Sequence, residues 1–352
     1  MRFLSKSGIG TAVIAVIVIV IIVVAAAGAY LAFYHVTTST TTTSSTSSSS
    51  STSTTTPIST TPYTIAAQSP AGGPGGLSVL LAQQHGILQQ NDPNAKFVPI
   101  ASPAAMVQSL IAGTSDIIVD GATNVIGAYA GGSHNITIIG SALDNLPFSL
   151  IVSSTSNYTS ISQLKNALFA SQAPTGFTSI LLHQMAQEQG WPSINTVTLQ
   201  SATATITAVI AGKADATLVD DGTLSTFLGT GLIRVVANIT NSLIPNQAIV
   251  TTPAFLKAHP DAVKAAVASI EAGGMIYDEN QSATVSFVLL QFPSMSTAGA
   301  ENLVSLVRFS TDGSFTLAQL QTTINILYTY KAITTNVTAS SLVSQGFAQI
   351  NS

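Results

Sequence analysis

The side chains best placed to hold a small polar molecule are hydroxyls and glycines that open helices, and aspartates that close strands. Ser102 precedes Pro103, the pattern of a helix N-cap followed by proline at the first helical position. Thr175-Gly176-Phe177-Thr178-Ser179 opens another helix and sets hydroxyls beside unpaired backbone amides, an arrangement that suits an anion. Asp120-Gly121-Ala122-Thr123 and Asp220-Asp221-Gly222 each follow a buried apolar run, and Ser69-Pro70-Ala71-Gly72-Gly73 follows a third. The candidate ligand-binding residues are therefore Ser69, Gly72, Gly73, Ser102, Asp120, Gly121, Thr123, Thr175, Gly176, Thr178 and Asp220. Capping and turn formation are the competing use of each of them. Helix N-termini and hydroxyls favour a sulfonate, nitrate or carboxylate; the aspartates favour a ligand that donates hydrogen bonds. The balance tips towards the anion.

Catalytic chemistry has little to work with. The chain has no cysteine, which removes thiol nucleophiles, disulfides and thiolate metal centres. His85, His134, His183 and His259 are scattered, and neither H-E-x-x-H, G-x-S-x-G nor a Walker loop occurs. The glycines from Gly72 to Gly76 are interrupted by Pro74 and do not make a dinucleotide fingerprint. Neither an enzymatic activity nor a cofactor nor a metal is expected. Ten Lys and Arg in 352 residues form no basic cluster, so nucleic acid is not an expected partner.

These residues need a scaffold, and the chain divides by composition. Residues 1–36 carry Arg2 and Lys6 and then an uncharged run from Ile9 to Tyr34. At about 1.5 Å per residue this run reaches about 39 Å, enough to span a bilayer with tilt. Positive residues before the span put the remainder outside the cell, as a membrane-anchored surface protein. A cleaved signal peptide competes with this reading, although its apolar core would be unusually long. So does a class III, pilin-like signal, because Lys6-Ser7-Gly8 precedes an unbroken apolar helix; self-assembly through that helix fits either membrane form.

Residues 37–62 form a Ser/Thr-rich stalk suited to O-glycosylation or to a bare linker. N-glycosylation sequons stand at Asn135, Asn157, Asn238, Asn280 and Asn336.

The remainder, with 8 basic and 14 acidic residues, carries 8 − 14 = −6. Ten short apolar runs alternate with amphipathic segments up to residue 252, as an α/β sheet protein requires, and everything after 252 reads as helix. Lobe one is expected over 63–148, lobe two over 149–242, and a return to lobe one with C-terminal helices over 243–352. The two-lobe expectation comes from an internal echo. Leu110-Ile111-Ala112-Gly113-Thr114-Ser115-Asp116 precedes a run ending at Asp120, and Val209-Ile210-Ala211-Gly212-Lys213-Ala214-Asp215 precedes one ending at Asp220. Each is a helix stopped by a glycine suited to the left-handed cap, then an aspartate, then a buried strand.

From about Thr64 to Tyr277 the chain resembles the solute-binding proteins of ABC importers, in the branch that serves nitrate, sulfonates, taurine and thiamine-pyrimidine precursors. The paired Ala-Gly-x-x-Asp motifs carry the resemblance, with Ser160-Ile161-Ser162-Gln163-Leu164-Lys165, Pro174-Thr175-Gly176 and the stretch from Pro253 to Lys264. The resemblance implies a type II periplasmic-binding-protein fold, α/β and two-lobed, with a small-molecule solute in the cleft and a membrane ABC permease as partner. Two other functions compete: a structural or adhesive surface protein using the lobes as a scaffold, and an aminopyrimidine binder. Enzymes of related fold use a cysteine-rich motif, so that activity is not carried over to a chain without cysteine.

Overall fold

The chain divides into two units, Met1–Thr54 and Thr55–Ser352. The computed structural model describes residues 61–69, 74–145, 147–239, 246–344 and 350–351, all in the second unit. The expected membrane anchor, nearly all of the stalk, and Gly72 and Gly73 lie outside the described residues. Among the described residues no helix is long and apolar enough to cross a membrane.

Each of the ten apolar runs is a strand: β1 (Tyr63–Gln68), β2 (Ala95–Ile100), β3 (Ile117–Gly121), β4 (Thr137–Asn145), β5 (Phe148–Ser153), β6 (Leu168–Ser171), β7 (Asn195–Thr198), β8 (Ala216–Asp220), β9 (Ile233–Ile239) and β10 (Gln247–Thr251). They sort into two sheets. The six-stranded sheet has the order β11-β4-β10-β3-β1-β2, β11 being Arg308–Phe309, and the five-stranded sheet the order β7-β6-β8-β5-β9. The two orders superimpose, β4-β10-β3-β1-β2 on β9-β5-β8-β6-β7. β11 runs against β4 at the edge of the first sheet; among the other five strands of each sheet one runs against its neighbours, β10 in the first and β5 in the second. That strand is the one arriving from the other sheet, since β5 follows β4 and β10 follows β9. Two α/β lobes exchange crossing strands.

The echo in the sequence is an echo in structure. Helices α3 (Pro103–Ile111) and α6 (Ala202–Ile210) end before Gly113 and Gly212, whose φ values of 71° and 66° cost glycine least. The following aspartates reach sideways to the adjacent parallel strand. Asp116 accepts from the Thr64 N–H at 2.8 Å and Asp215 from the Leu168 N–H at 2.7 Å, in each case at the strand's start. These bonds fix the register of β1 against β3 and of β6 against β8.

The other helices are α1 (Leu77–Gln84), α2 (Ile87–Asn91), α4 (Ala122–Ala130), α5 (Phe177–Glu188), α7 (Asp221–Leu228), α8 (Pro253–Ala258), α9 (Pro260–Glu279), α10 (Gln281–Gln291), α11 (Thr297–Leu306), α12 (Leu317–Thr329) and α13 (Ala339–Leu342). The long helix α9 packs on α1 at Gly273, where a β-carbon would run into the Ser78 carbonyl. The C-terminal helices touch both lobes. Leu303 of α11 lies against Gly222 of α7, and Tyr330, just after α12, donates to Gln187 of α5 and stacks on His183.

Two readings from sequence need correction. The region after 252 is not all helix, because β11 extends the lobe-one sheet beside β4 and Phe315–Thr316 pairs with Ile350–Asn351. Strands of two residues hold no periodicity to detect. β4 runs on through Gly140, Ser141 and Ala142 to Asn145, past the apolar stretch 136–139, because its pairing with β10 continues there.

Candidate functional site

The C-terminal ends of β1, β3, β6 and β8 collect at one edge of each sheet, and there the lobes face each other. The crossing strands run the other way, so their first residues arrive at the same edge: Phe148 pairs with Asp220 and Gln247 with Gly121. The cleft between is walled by Gln68, Pro103, Gly121, Asn124, Asn246 and Gln247 from lobe one. Phe148, Gln172, Ala173, Gly176, Phe177, Thr178 and Asp220 wall it from lobe two. Its empty space, open mouth included, is about 470 Å³.

Of the candidate residues, Gly121, Gly176, Thr178 and Asp220 stand on the wall. Asp120 and Thr123 lie just behind it, 2% and 0% exposed. Ser102 caps α3, accepting from the Ala105 N–H at 3.4 Å, and its neighbour Pro103 reaches the wall. Thr175 crosses to lobe one and packs on Gly127 of α4. Ser69 continues β1, its N–H donating to the Ile100 carbonyl.

Sequence reasoning missed five amides, Gln68, Asn124, Gln172, Asn246 and Gln247, and the phenylalanines 148 and 177. Strand C-termini guided the search, whereas Phe148 and Gln247 begin antiparallel strands. The usable signal was the doubled lobe itself, which requires crossing strands that enter at the cleft.

Helix starts dominate the electrostatics. α5 has Gly176 as N-cap, with no side chain covering its first amides, and Gly176, Phe177 and Thr178 all face the cleft. Such an end carries roughly half a positive charge. At the start of α7 the Asp220 carboxylate already fills this role, accepting from the Thr223 N–H at 2.7 Å and the Thr223 hydroxyl at 2.9 Å. Among the described residues, no Lys, Arg or His lies on the wall. Arg234 donates to the Ser156 and Tyr158 carbonyls, and Arg308 to carbonyls of Val304, Ser305 and Val307.

On the lobe-one side several buried polar atoms lack a partner among the described residues: Asp120 Oδ2, Thr123 Oγ1, Asn124 Oδ1, Asn246 Nδ2 and Gln247 Oε1. Buried polar groups are normally paired, so this cluster of unpartnered atoms at and behind the wall is unusual. The Phe148 and Phe177 rings stack at 5.6 Å with 12° between planes and give one apolar face.

The profile of a family described as NMT1/THI5 like matches residues 75–281, more than half of the chain. The chain belongs to this family. The match of the NMT1/THI5-like chain takes in both lobes, from the Pro74–Gly76 turn to the first residue of α10. No curated protein matches it.

Among solved structures, the alkanesulfonate-binding protein of Xanthomonas axonopodis pv. citri bound to MOPS is similar, with 19% identity and a TM-score of 0.70. That similarity covers 81% of this chain and 99% of that one. A Candida albicans protein with the generic periplasmic-binding-protein fold matches at 16% identity and a TM-score of 0.70, covering 83% and 98%. The nitrate-binding protein of Synechocystis PCC 6803 matches at 12% and 0.64, covering 78% and 82%. The two-lobed periplasmic-binding-protein fold is shared with all three.

Proposed function

We propose that the protein is a solute-binding protein of the cell surface, which closes its lobes on a small organic anion and delivers it to an ABC permease. The uncapped start of α5 in the cleft carries this reading, because the Phe177 and Thr178 N–H groups there, beside a Gly176 N–H already held by the Ala173 carbonyl, offer two donors and partial positive charge to an oxyanion. The stacked phenylalanines favour an anion with an apolar body, a sulfonate or carboxylate, over bare nitrate. Similar structures include a sulfonate-binding and a nitrate-binding protein, in keeping with an anion. Ser69, Ser102 and Thr123 belong to this site as supports of the wall, and Thr175 belongs to its closure.

A second reading follows from the idle acceptors Asn124 Oδ1 and Gln247 Oε1, which suit a ligand rich in N–H donors such as an aminopyrimidine. The N-terminal segment anchors the molecule and the Ser/Thr stalk lifts it from the membrane. All five sequon asparagines are exposed and open to glycosylation.

A thermal-shift screen of the full-length protein tests the proposal, with alkanesulfonates, carboxylates, nitrate, aminopyrimidines and sugars. A solute at about 100 times its Kd adds about 2.7 kcal/mol of stability. A saturable shift with an organic anion supports the reading, a shift with aminopyrimidines alone favours the second, and no shift at all leaves a surface scaffold as the better account.

A further inference from the structure

Asp120, the penultimate residue of β3, and Asp220, the last of β8, stand on equivalent strands of the two lobes, each three residues before a threonine, yet they are bonded differently. Asp220 uses both carboxylate oxygens on Thr223. Asp120 takes two donors on Oδ1 alone, the Gly121 N–H at 2.7 Å and the Asn124 amide at 3.3 Å, while Oδ2 is buried with no partner. Gly121 and Asn124 are themselves wall residues of the cleft.

The surroundings hold no charge to answer a carboxylate. β3 is packed by β1, β10, α3, α4 and the Pro74–Gly76 turn. None of these carries an Asp, Glu, Lys, Arg or His. Their two tyrosines stand away from the cleft edge, Tyr63 at the first residue of β1 and Tyr129 in the last turn of α4 beside His134. The carboxylate facing this wall from lobe two is Asp220.

We propose that Asp120 is a positioning residue kept as a neutral carboxylic acid behind the lobe-one wall, and that its proton binds cooperatively with the anionic solute. The proposal rests on the anion reading above. With Oδ1 occupied by two donors, the acid hydrogen sits on Oδ2. In that state Gly121 and Asn124 are held in place and no negative charge backs the wall. Loss of the proton puts an unpaired buried charge behind the residues that meet the anion, so solute and proton favour each other's binding. Burial pushes the Asp120 carboxyl up to about 8, against the opposing pull of its two hydrogen bonds, which leaves it neutral at pH 7.

The test compares full-length wild type with Asp120→Asn, whose amide copies the neutral acid. The affinity of ethanesulfonate, which does not itself titrate, is measured by calorimetry from pH 6 to 9.5. Wild-type affinity is expected to hold to about pH 8 and then weaken towards about tenfold per pH unit, the limit for one linked proton. The variant's curve is expected to be flat. A flat wild-type curve, or the same fall in both proteins, overturns the coupling.

A solute-free arm separates the acid from the anion. The unfolded aspartate ionises near pH 4 while the folded one stays neutral to about 8, so wild type is expected to lose stability relative to the variant across that range. No such loss overturns the neutral acid, whatever binds. The loss without binding of ethanesulfonate, acetate or nitrate at any pH overturns the anion reading and the coupling with it. Should the variant fail to fold, proton uptake by wild type decides: calorimetry at pH 8.5 in two buffers of different ionisation enthalpy is expected to show uptake approaching one proton per solute, and no uptake overturns the proposal.

Discussion

The side chain of Thr175, from lobe two, occupies the space that a β-carbon on Gly127 of lobe one would need, with Thr175 Oγ1 and Cγ2 both 2.7 Å from that position. Real β-carbons do not approach other atoms so closely, so this arrangement of the lobes requires glycine at 127. Gly127→Ala is expected to improve the helical propensity of α4 by up to about 1 kcal/mol, yet to prop the lobes apart. Solute affinity should fall while the unfolding midpoint does not, and small-angle scattering should show a larger radius of gyration. Thr175→Ala in the same chain removes the obstruction and should restore affinity. An unchanged radius in Gly127→Ala would mean that the helix shifts instead of the lobe.

Asp220 serves both the cleft and the fold. Asp220→Ala removes the cap of α7 and should cost about 1–2 kcal/mol in urea unfolding. Asp220→Asn keeps the acceptor oxygen and should recover most of that loss, which separates capping from charge.

The echoed aspartates predict an unequal pair. Asp116 is half-buried and holds both the N–H and the hydroxyl of Thr64, whereas Asp215 is exposed and holds the Leu168 N–H. Asp116→Ala should cost about 2 kcal/mol and Asp215→Ala about 1 kcal/mol or less. Because the two sites lie in different lobes, urea unfolding of the double variant should show near-additive losses.

Gly273→Ala sets two effects of opposite sign against each other. Helix propensity favours alanine by about 1 kcal/mol, but the new methyl would meet the Ser78 carbonyl, a backbone group that cannot swing aside. Overpacking of this kind costs about 1–3 kcal/mol. The expected result is a net loss in the unfolding midpoint, and a gain would show that α1 can retreat from α9.

Much of this architecture is local and was therefore legible. The cap Ser102, the left-handed glycines 113 and 212, and the buried strands they lead into depend on neighbours within a few residues. Less legible were the cleft's own amides. Asn246 and Gln247 look like ordinary loop residues, and only the arrival of β10 from the other lobe carries them to the wall.

By itself the sequence determined the two α/β lobes, because hydrophobic period, capping chemistry and the 99-residue echo act over short range or by repetition. It also determined that chemistry here cannot involve thiolates, since the chain has no cysteine. The tertiary structure decided what depends on packing between distant segments. Thr175 meets Gly127 only because the two lobes face each other, and β5 and β10 present their first residues to the cleft only because each crosses from the other lobe. Asp120 and Asp220 share a sequence pattern but not a set of partners: Asp220 spends both oxygens on Thr223, whereas Asp120 uses one, and burial without a counter-charge pushes its carboxyl up to about 8.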